Sequence, residues 1–328
     1  MGEISSVTAE LDAHFSAVAK AFADGRVVPF FGAGVNCCGR PDGVPWDAAA
    51  KQSLPTGREL ANYLAKQHSY PEPSQDLLRV SQFIAVTLGS GPLYNQLHDL
   101  FDNDYPPTPL HQFFALMPKQ LRTSARRARG LLIVTTNYDD LMERAMRAAG
   151  EPFDLVSYVA EGDERGRFLH TPADGSPARI IKAPNKYQSL STDKNSIILK
   201  VHGAVDRVGK TDEERRDSFV ITEDDYIDYL GRISDSNLLP VSLVNKIRHS
   251  HILFLGYGLG DWNLRAILHR IWAEQRLKYN SWAVQKKPDK LEQKFWQGRQ
   301  VEIMDIDLNA YVAAVQVRLE EAMKAVVP

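Results

Sequence analysis

The stretch VVPFFGAGVN, residues 27–36, joins a short apolar run to a glycine turn. An apolar run of this length that ends in glycine is typical of a buried strand. Glycines after a strand let the backbone approach a phosphate closely, although Cys37 holds the third glycine position of the full G-x-G-x-x-G fingerprint. The stretch therefore predicts a strand of a buried sheet, followed by a nucleotide-binding turn or by a turn that is only structural.

The same pattern, an apolar run that ends in polar or glycine residues, returns three times along the chain. LLIV at 131–134 precedes TTNYD, IILKV at 197–201 precedes HG, and ILFL at 252–255 precedes GYGLGDWN. Helical patterns separate these runs, so we predict an α/β fold with a Rossmann-like parallel sheet and helices on both faces. Ligands of such sheets bind beyond the carboxyl ends of the strands, where these motifs would meet.

The order of patterns predicts a single domain over residues 1–328. We expect an N-terminal helix within 1–25, a core formed by 26–55 and 130–306, a helical insertion over 56–128, and a C-terminal helix over 309–325. Residues 35–55 are expected to form a loop, and residues 151–195 to form hairpins or a mobile flap. Trp282–Val284 and Val301–Met304 are predicted as late strands.

Composition excludes several classes of protein. The formal net charge of −2 gives no global basic field for nucleic acid or anionic membranes. No stretch approaches the roughly 20 apolar residues of a membrane span, and the N-terminus does not resemble a signal peptide. Cys37 and Cys38, the only cysteines, are adjacent and cannot supply a four-ligand zinc site or a disulfide framework. We therefore expect a cytoplasmic protein without a metal.

Three polar residues at predicted strand ends are candidates for chemistry. Asn137 could hold a ribose hydroxyl or position a water, whereas Asp139 could equally cap the next helix. His202, at a strand end before a glycine, is a candidate general base, although a lone histidine is usually structural.

Two other patterns have simpler explanations. The basic run from Lys119 to Arg129 is either a solvated helix face or a site for phosphate or for the acidic surface of a partner. The segment from Ala204 to Thr211 fits a relaxed Walker A pattern, but the charged sequence that follows has no apolar face. This favours a surface loop over an ATPase site.

Taken in order, these motifs resemble the sirtuin family. Gly32–Gly34 with Asn36 is similar to its Gly-Ala-Gly-x-Ser loop, Thr135–Asp139 to its Thr-Gln-Asn-Ile-Asp segment, and His202-Gly203 to its catalytic His-Gly. The segments Leu255–Arg265 and Val220–Tyr226 resemble a bacterial sirtuin-like branch. The resemblance spans residues 26 to 275. It departs from the deacylases because their zinc ribbon is absent and the helical segment 56–128 stands in place of a zinc-ribbon small domain.

The resemblance implies that NAD is a substrate and that no metal is needed. Asn137 would bind the nicotinamide ribose or orient water, and His202 would act as the base. The implied NAD-binding residues are, around the phosphates, Gly32, Ala33, Gly34 and Asn36; next to them, Thr136 and Asp139; and on the adenosine side, Gly256, Tyr257, Asp261 and Asn263.

The activity that the resemblance implies is an NAD glycohydrolase of anti-phage defence, which depletes NAD in the infected cell. Such an enzyme needs restraint, so we expect a homo-oligomer and an infection sensor on a separate chain, such as a DNA-translocase ATPase. The first alternative is a non-enzymatic module that binds NAD or ADP-ribose. A protein deacylase or ADP-ribosyltransferase is less favoured because the zinc ribbon is missing.

Overall fold

The computed structural model describes residues 2–41, 43–123, 130–209, 211, 215–233, 238–258 and 279–324. The first half contains α1 (Gly2–Ala23), β1 (Val27–Phe31), a short 3₁₀ helix (Ala33–Cys37), α2 (Gly57–Gln67), α3 (Leu77–Leu88), α4 (Ser90–Phe101), α5 (Pro109–Thr123), β2 (Leu132–Thr135) and α6 (Leu141–Ala149). The second half contains β3 (Phe153–Val159), β4 (Arg167–Thr171), β5 (Arg179–Ile181), a second 3₁₀ turn (Pro184–Lys186), β6 (Ser196–Lys200), β7 (Gly203–Ala204), β8 (Ser218–Phe219), α7 (Glu223–Ile233), α8 (Val241–Arg248), β9 (His251–Leu255), β10 (Ser281–Val284), α9 (Lys290–Gln297), β11 (Val301–Met304) and α10 (Leu308–Lys324).

Nine strands form one sheet in the order β11-β10-β9-β1-β2-β6-β3-β4-β5. Every pairing from β11 to β3 is parallel, and only β4 and β5 are antiparallel. On one side of β1 lie β2, β6, β3, β4 and β5. On its other side lie β9, β10 and β11, which come later in the chain. β1 is therefore the point at which the strand order reverses, which is where sheets of this class open a ligand crevice.

Both faces of the sheet are covered, as the sequence predicts. Alternate side chains of β1 enter different cores: Val27 and Phe31 pack on one face, and Val28 and Phe30 on the other. Helices α1, α5, α6 and α10 cover the first face, while α7, α8 and α9 cover the second. All five residues of β1 are buried, which explains why its sequence is a continuous apolar run rather than an alternating one. The prediction of a Rossmann-like α/β fold is confirmed.

The helical segment predicted over 56–128 divides into two parts. Helices α2, α3 and α4 form a third apolar cluster of their own, which also buries Tyr138 and Phe219. Helix α5 packs instead on the sheet beside α6. Helix α2 begins with the expected cap, since Thr56 and Glu59 bond each other's backbone in a capping box. Within the described residues, no helix is long and apolar enough to cross a membrane.

Residues 151–195 contain the predicted hairpins, since β3 pairs with β4 and β4 with β5 in antiparallel orientation, but the sequence did not predict that β3 would also enter the parallel sheet. β3 joins the parallel part of the sheet beside β6, and β4 and β5 add an antiparallel edge. The side chains of β3 alternate between buried and half-exposed positions, a strand pattern that its polar residues obscure in the sequence. The small hairpin of β7 and β8 was not predicted either. The predicted helix from Asn263 to Arg276, and the arginines at 126, 127 and 129, lie outside the described residues.

Candidate functional site

Four neighbouring strands, β9, β1, β2 and β6, end at the same edge of the sheet, where they border a cleft of about 1230 Å³. This exceeds the roughly 300–1,000 Å³ of typical small-molecule pockets. The cleft is lined by ten of the residues that the sequence singles out: Gly32, Ala33, Gly34, Asn36, Thr136, Asn137, Asp139, His202, Gly256 and Tyr257. The remaining two, Asp261 and Asn263, lie outside the described residues.

The glycine turn after β1 packs tightly against the end of β9. The Gly32 N–H donates to the Leu255 carbonyl over 3.0 Å, and the Gly34 N–H donates to the Gly256 carbonyl over 2.8 Å. A Cβ added at Gly34 would lie 2.7 Å from that Gly256 oxygen, and one added at Gly32 would lie 2.6 Å from the Tyr257 ring. These glycines are therefore required for close backbone packing, a reason independent of any phosphate.

A direct side-chain contact joins the glycine turn to the segment after β2. The Asn36 amide donates from Nδ2 to Asp139 Oδ2 over 3.1 Å. The other oxygen of Asp139, Oδ1, accepts from the Leu141 N–H at the start of α6. Asp139 thus bonds the first N–H of the helix from the position before the N-cap residue, Asp140, and also orients Asn36 at the cleft wall. Asn36 Oδ1 is buried and has no partner among the described residues.

Asn137 is held beside the glycine turn. Its backbone N–H donates to Thr135 Oγ1 over 3.0 Å, and its side-chain Nδ2 donates to the Gly32 carbonyl over 3.3 Å. The preceding residue, Thr136, donates its N–H to the Phe31 carbonyl. The side chain of Asn137 is therefore held against the glycine turn by one hydrogen bond to Gly32.

A buried ion pair supports this segment from below. Lys200, the last residue of β6, is 1% exposed and lies 2.8 Å from the Glu143 carboxylate of α6. Its Nζ also donates to the backbone carbonyls of Tyr138 and Asp139. Burial raises the pKa of Glu143, while the Lys200 charge opposes that shift. Lys200 thus ties the backbone that carries Asn137 to the strand that carries His202.

His202 follows β6 and is 3% exposed. Burial lowers its pKa to about 3, so the imidazole is neutral at neutral pH and is a weaker base than an exposed histidine. Its Nδ1 lies 3.2 Å from the Tyr226 hydroxyl, whereas its Nε2 is buried without a partner among the described residues. The next residue, Gly203, has φ of +90°, and a Cβ there would lie 2.1 Å from the Ser218 carbonyl. Only glycine fits after this histidine.

Sequence reasoning missed one rim of the cleft. Gln285, Lys286 and Lys287 follow β10, Asp307 follows β11, and all four line the cleft beyond β9 in the strand order. Both strands were predicted. Because ligands of such sheets bind beyond the carboxyl ends of the strands, these residues could have been identified from the sequence. Tyr226 of α7 also lines the cleft, although the segment containing it was cited only for its resemblance. In the part of the chain that the structure describes, no cluster of three or more His, Cys, Asp or Glu could hold a metal.

Comparison with known proteins gives two findings. The family model described as "SIR2-like domain" matches residues 131–304, which is more than half of the chain. Defense-associated sirtuin 2 of Bacillus subtilis is 26% identical over 88% of this chain, and the match covers 24% of that relative. The chain therefore spans about a quarter of the length of the curated relative that it matches. Asn137, His202 and Tyr226 fall inside the range of the family model, whereas the glycine turn at 32–36 precedes it.

Proposed function

This chain belongs to the SIR2-like family, and on that premise we propose that it hydrolyses NAD to nicotinamide and ADP-ribose. SIR2-like domains bind NAD. The observation that carries the proposal is a pair of buried atoms without partners, Asn36 Oδ1 and His202 Nε2, on residues that line one cleft. Buried polar atoms are nearly always hydrogen-bonded, so two unpaired atoms in one cleft support a polar ligand there.

The residues of the cleft suit a dinucleotide. The close-packed glycine turn and the amide of Asn36 would hold the phosphates and their neighbouring ribose. Thr136 and Asp139 border them. Gly256 and Tyr257, at the end of β9, would line the adenosine side, together with Asp261 and Asn263. Asn137 and His202 would then lie at the nicotinamide end.

The proposed reaction is hydrolysis of the bond between nicotinamide and ribose. The bond between the ribose carbon and the nicotinamide nitrogen breaks, and its electron pair leaves with nicotinamide. A water oxygen forms the new bond to the same carbon through an oxocarbenium-like transition state. We propose that Asn137 positions the ribose or the water. His202 Nε2 would take the proton released by the water and pass it to solvent, which balances the reaction.

The role in the cell follows from the relative rather than from the site. The name of the Bacillus subtilis protein associates it with defence. We propose that this chain also acts in anti-phage defence, in the cytoplasm, by depleting NAD. Its restraint would come from self-association or from a separate chain, such as a DNA-translocase ATPase that senses infection. These steps rest on family analogy.

The proposed reaction is tested by incubating the purified chain with NAD and separating the products by chromatography. We expect nicotinamide and ADP-ribose in equal amounts, and neither with the His202→Ala variant. Calorimetric titration with NAD on the same preparation completes the test. NAD binding without product, in both the presence and absence of an acylated peptide, would support the non-enzymatic binding module instead. Nicotinamide release that requires the acylated peptide would support a deacylase.

A further inference from the structure

The segment Val220–Tyr226 is built against the loop that carries His202. The Val220 N–H donates to the His202 carbonyl over 3.0 Å. On its other side, the Val220 carbonyl accepts from the Tyr138 hydroxyl over 2.7 Å. The segment therefore bridges the backbone after β6 and the side chain that follows Asn137. A motif that the sequence marked only by resemblance is thus part of the wall of the cleft.

Local hydrogen bonds also fix where α7 begins. The Asp225 carboxylate accepts from the backbone N–H groups of Ile221 and Thr222, and the Asp225 N–H donates to Thr222 Oγ1. This reciprocal arrangement is a capping box, which sets the entry of a helix. It places Tyr226 in the first turn of α7 with little freedom to move along the helix axis.

Two tyrosines of α7 then enclose the imidazole of His202. The ring of Tyr226 meets it edge-on at 5.1 Å and 83°, and the ring of Tyr229 meets it at 5.5 Å and 87°. Residues three apart lie on one face of a helix, which explains how both reach the same target. The two contacts differ in one respect: the hydroxyl of Tyr226 lies 3.2 Å from Nδ1, whereas no hydrogen bond from Tyr229 to His202 is found among the described residues.

The position of the single proton on the neutral imidazole decides what His202 can do. If Nε2 carried it, a buried N–H donor would have no acceptor among the described residues. A buried donor without an acceptor is rarer and costlier than an unused lone pair on an acceptor. A tyrosine hydroxyl can accept a hydrogen bond as well as donate one. The proton is therefore better placed on Nδ1, where the Tyr226 oxygen receives it.

We propose that Tyr226 is a positioning residue whose hydroxyl oxygen accepts the hydrogen bond from His202 Nδ1–H, and that this leaves the Nε2 lone pair for substrate. The second histidine nitrogen is often set by a carboxylate or a backbone carbonyl. In this protein the hydroxyl of a tyrosine on a capped helix would fix that nitrogen instead. The consequence for catalysis rests on the proposed NAD hydrolysis, but the orientation of the hydrogen bond does not.

The direct test reads the tautomer of His202 in the free protein. The chain is labelled with ¹⁵N-histidine, and a long-range ¹H–¹⁵N spectrum distinguishes protonated from unprotonated ring nitrogens. The His202→Ala variant identifies the His202 signals by their absence. We expect a protonated Nδ1 and an unprotonated Nε2 in the wild type. In Tyr226→Phe, which keeps the ring but removes the acceptor, this preference should weaken or reverse.

Tyr229→Phe is the matched control because it changes the other tyrosine that touches the same imidazole. We expect it to leave the His202 signals in the wild-type tautomer. A wild-type spectrum with the proton on Nε2, or a Tyr226→Phe spectrum identical to the wild type, would overturn the proposal. Circular dichroism on each variant separates a change of tautomer from a loss of fold, and the tautomer can still be read from any fraction that remains folded.

An activity measurement then connects the tautomer to the proposed reaction. Tyr226→Phe should lower kcat at least about tenfold while KM changes little, because the base is weakened and the binding surface is kept. Tyr229→Phe should retain most of kcat. If the wild-type tautomer is as proposed but no preparation releases nicotinamide, the proposed function fails and the assignment of the hydrogen bond stands. Equal kcat in Tyr226→Phe and wild type would remove the catalytic consequence.

Discussion

Two buried histidines of this protein look alike by exposure but differ in their partners. His170, on β4 at the edge of the sheet, contacts Asp154 through Nε2 at 3.0 Å and the Tyr187 hydroxyl through Nδ1 at 2.6 Å. His202, at the centre of the sheet, has the Tyr226 hydroxyl on one nitrogen and nothing on the other among the described residues. The hydrogen-bonded series Asp154–His170–Tyr187 resembles a catalytic triad more closely than His202 and its neighbours do.

The two histidines differ in how many of the hydrogen-bonding groups around them already have partners. Asp154 also accepts from the Ala173 N–H and from the Asn195 amide, and Tyr187 accepts from Arg179, so the edge network has used its hydrogen-bonding capacity. None of these residues lines the cleft. A saturated network holds β3, β4 and the following turn together, whereas an unsaturated one is prepared for a ligand. Missing partners therefore mark a candidate functional histidine better than the presence of an acid does.

The strongest test of this contrast is His202→Ala. Loss of a general base should lower NAD turnover by about 10²- to 10⁴-fold, with only a small change in melting temperature. Turnover and thermal unfolding are measured on the same preparation. A His202→Ala protein with wild-type turnover would remove the proposed role of this residue and leave it as a structural histidine.

Lys200 tests a network that is saturated and lies behind the wall of the cleft rather than in it. Lys200→Met leaves the Glu143 carboxylate buried without its cation, so we expect a loss of about 3–5 kcal/mol in the free energy of unfolding. Adding Glu143→Leu removes the stranded charge and should restore most of that stability. Urea unfolding measures both variants.

The double variant also separates stability from positioning. Without the ammonium group, the carbonyls of Tyr138 and Asp139 lose their donor, and Asn137 loses its support. We expect the stable double variant to remain poorly active, since orientation of the reacting groups is lost. Wild-type turnover in that variant would show that the pair serves folding alone.

His170→Phe should give the reverse of His202→Ala. Removal of the imidazole leaves Asp154 and the Tyr187 hydroxyl short of a partner, so we expect a loss of about 1–3 kcal/mol in unfolding free energy. Turnover per folded molecule should stay near the wild-type value because the edge network is outside the cleft. A large fall in turnover without a fall in stability would break the comparison.

A smaller effect is expected from acid. Burial holds the pKa of His202 at about 3 and that of His111 at about 4, below the 6.5 of an exposed histidine. Between these values and 6.5 the unfolded chain binds more protons, so stability is full above pH 6.5 and falls as the pH drops through this window. Each histidine contributes a loss of about 1.4 kcal/mol per pH unit below 6.5.

Urea unfolding at pH 7 and pH 5.5 measures this loss, and His202→Ala provides the control. The variant lacks one of the buried imidazoles, so its stability should fall less between the two pH values than that of the wild type. An identical fall in both proteins would show that His202 is already protonated, or reached by water, in the folded state.

Local patterns were enough to predict the strand ends but not their partners. The runs before Gly32, Thr135, His202 and Gly256 are apolar because those strands are buried on both faces, so the sheet and the four motifs could be predicted. The pairing of Asn36 with Asp139 joins residues 103 positions apart, and no periodicity encodes it. Tyr226 was missed for the same reason, since its role depends on how α7 packs.

The glycine turn was predicted correctly, but the sequence shows only part of the reason why glycine is needed there. The sequence offers phosphate binding or a tight turn for Gly32 and Gly34, and the structure adds the Gly256 backbone and the Tyr257 ring pressed against them. That neighbour lies more than 220 positions further along the chain. The strand β3 was not singled out because its sequence does not alternate in polarity: Asp154 is buried, whereas Phe153 and Leu155 are half-exposed.

The pairing of β1 with β9 has a consequence for synthesis. Phe31 lies beside Leu255 in the sheet, so one wall of the cleft is made of residues that are more than 220 positions apart in the sequence. Contacts of such high sequence separation form late, after the intervening loops have closed. A nascent chain still holding residues 251–257 inside the ribosome therefore has the two proposed catalytic residues, Asn137 and His202, but no completed cleft. Under the proposed function, NAD hydrolysis would therefore begin only after residues 251–257 have left the ribosome and β9 has paired with β1.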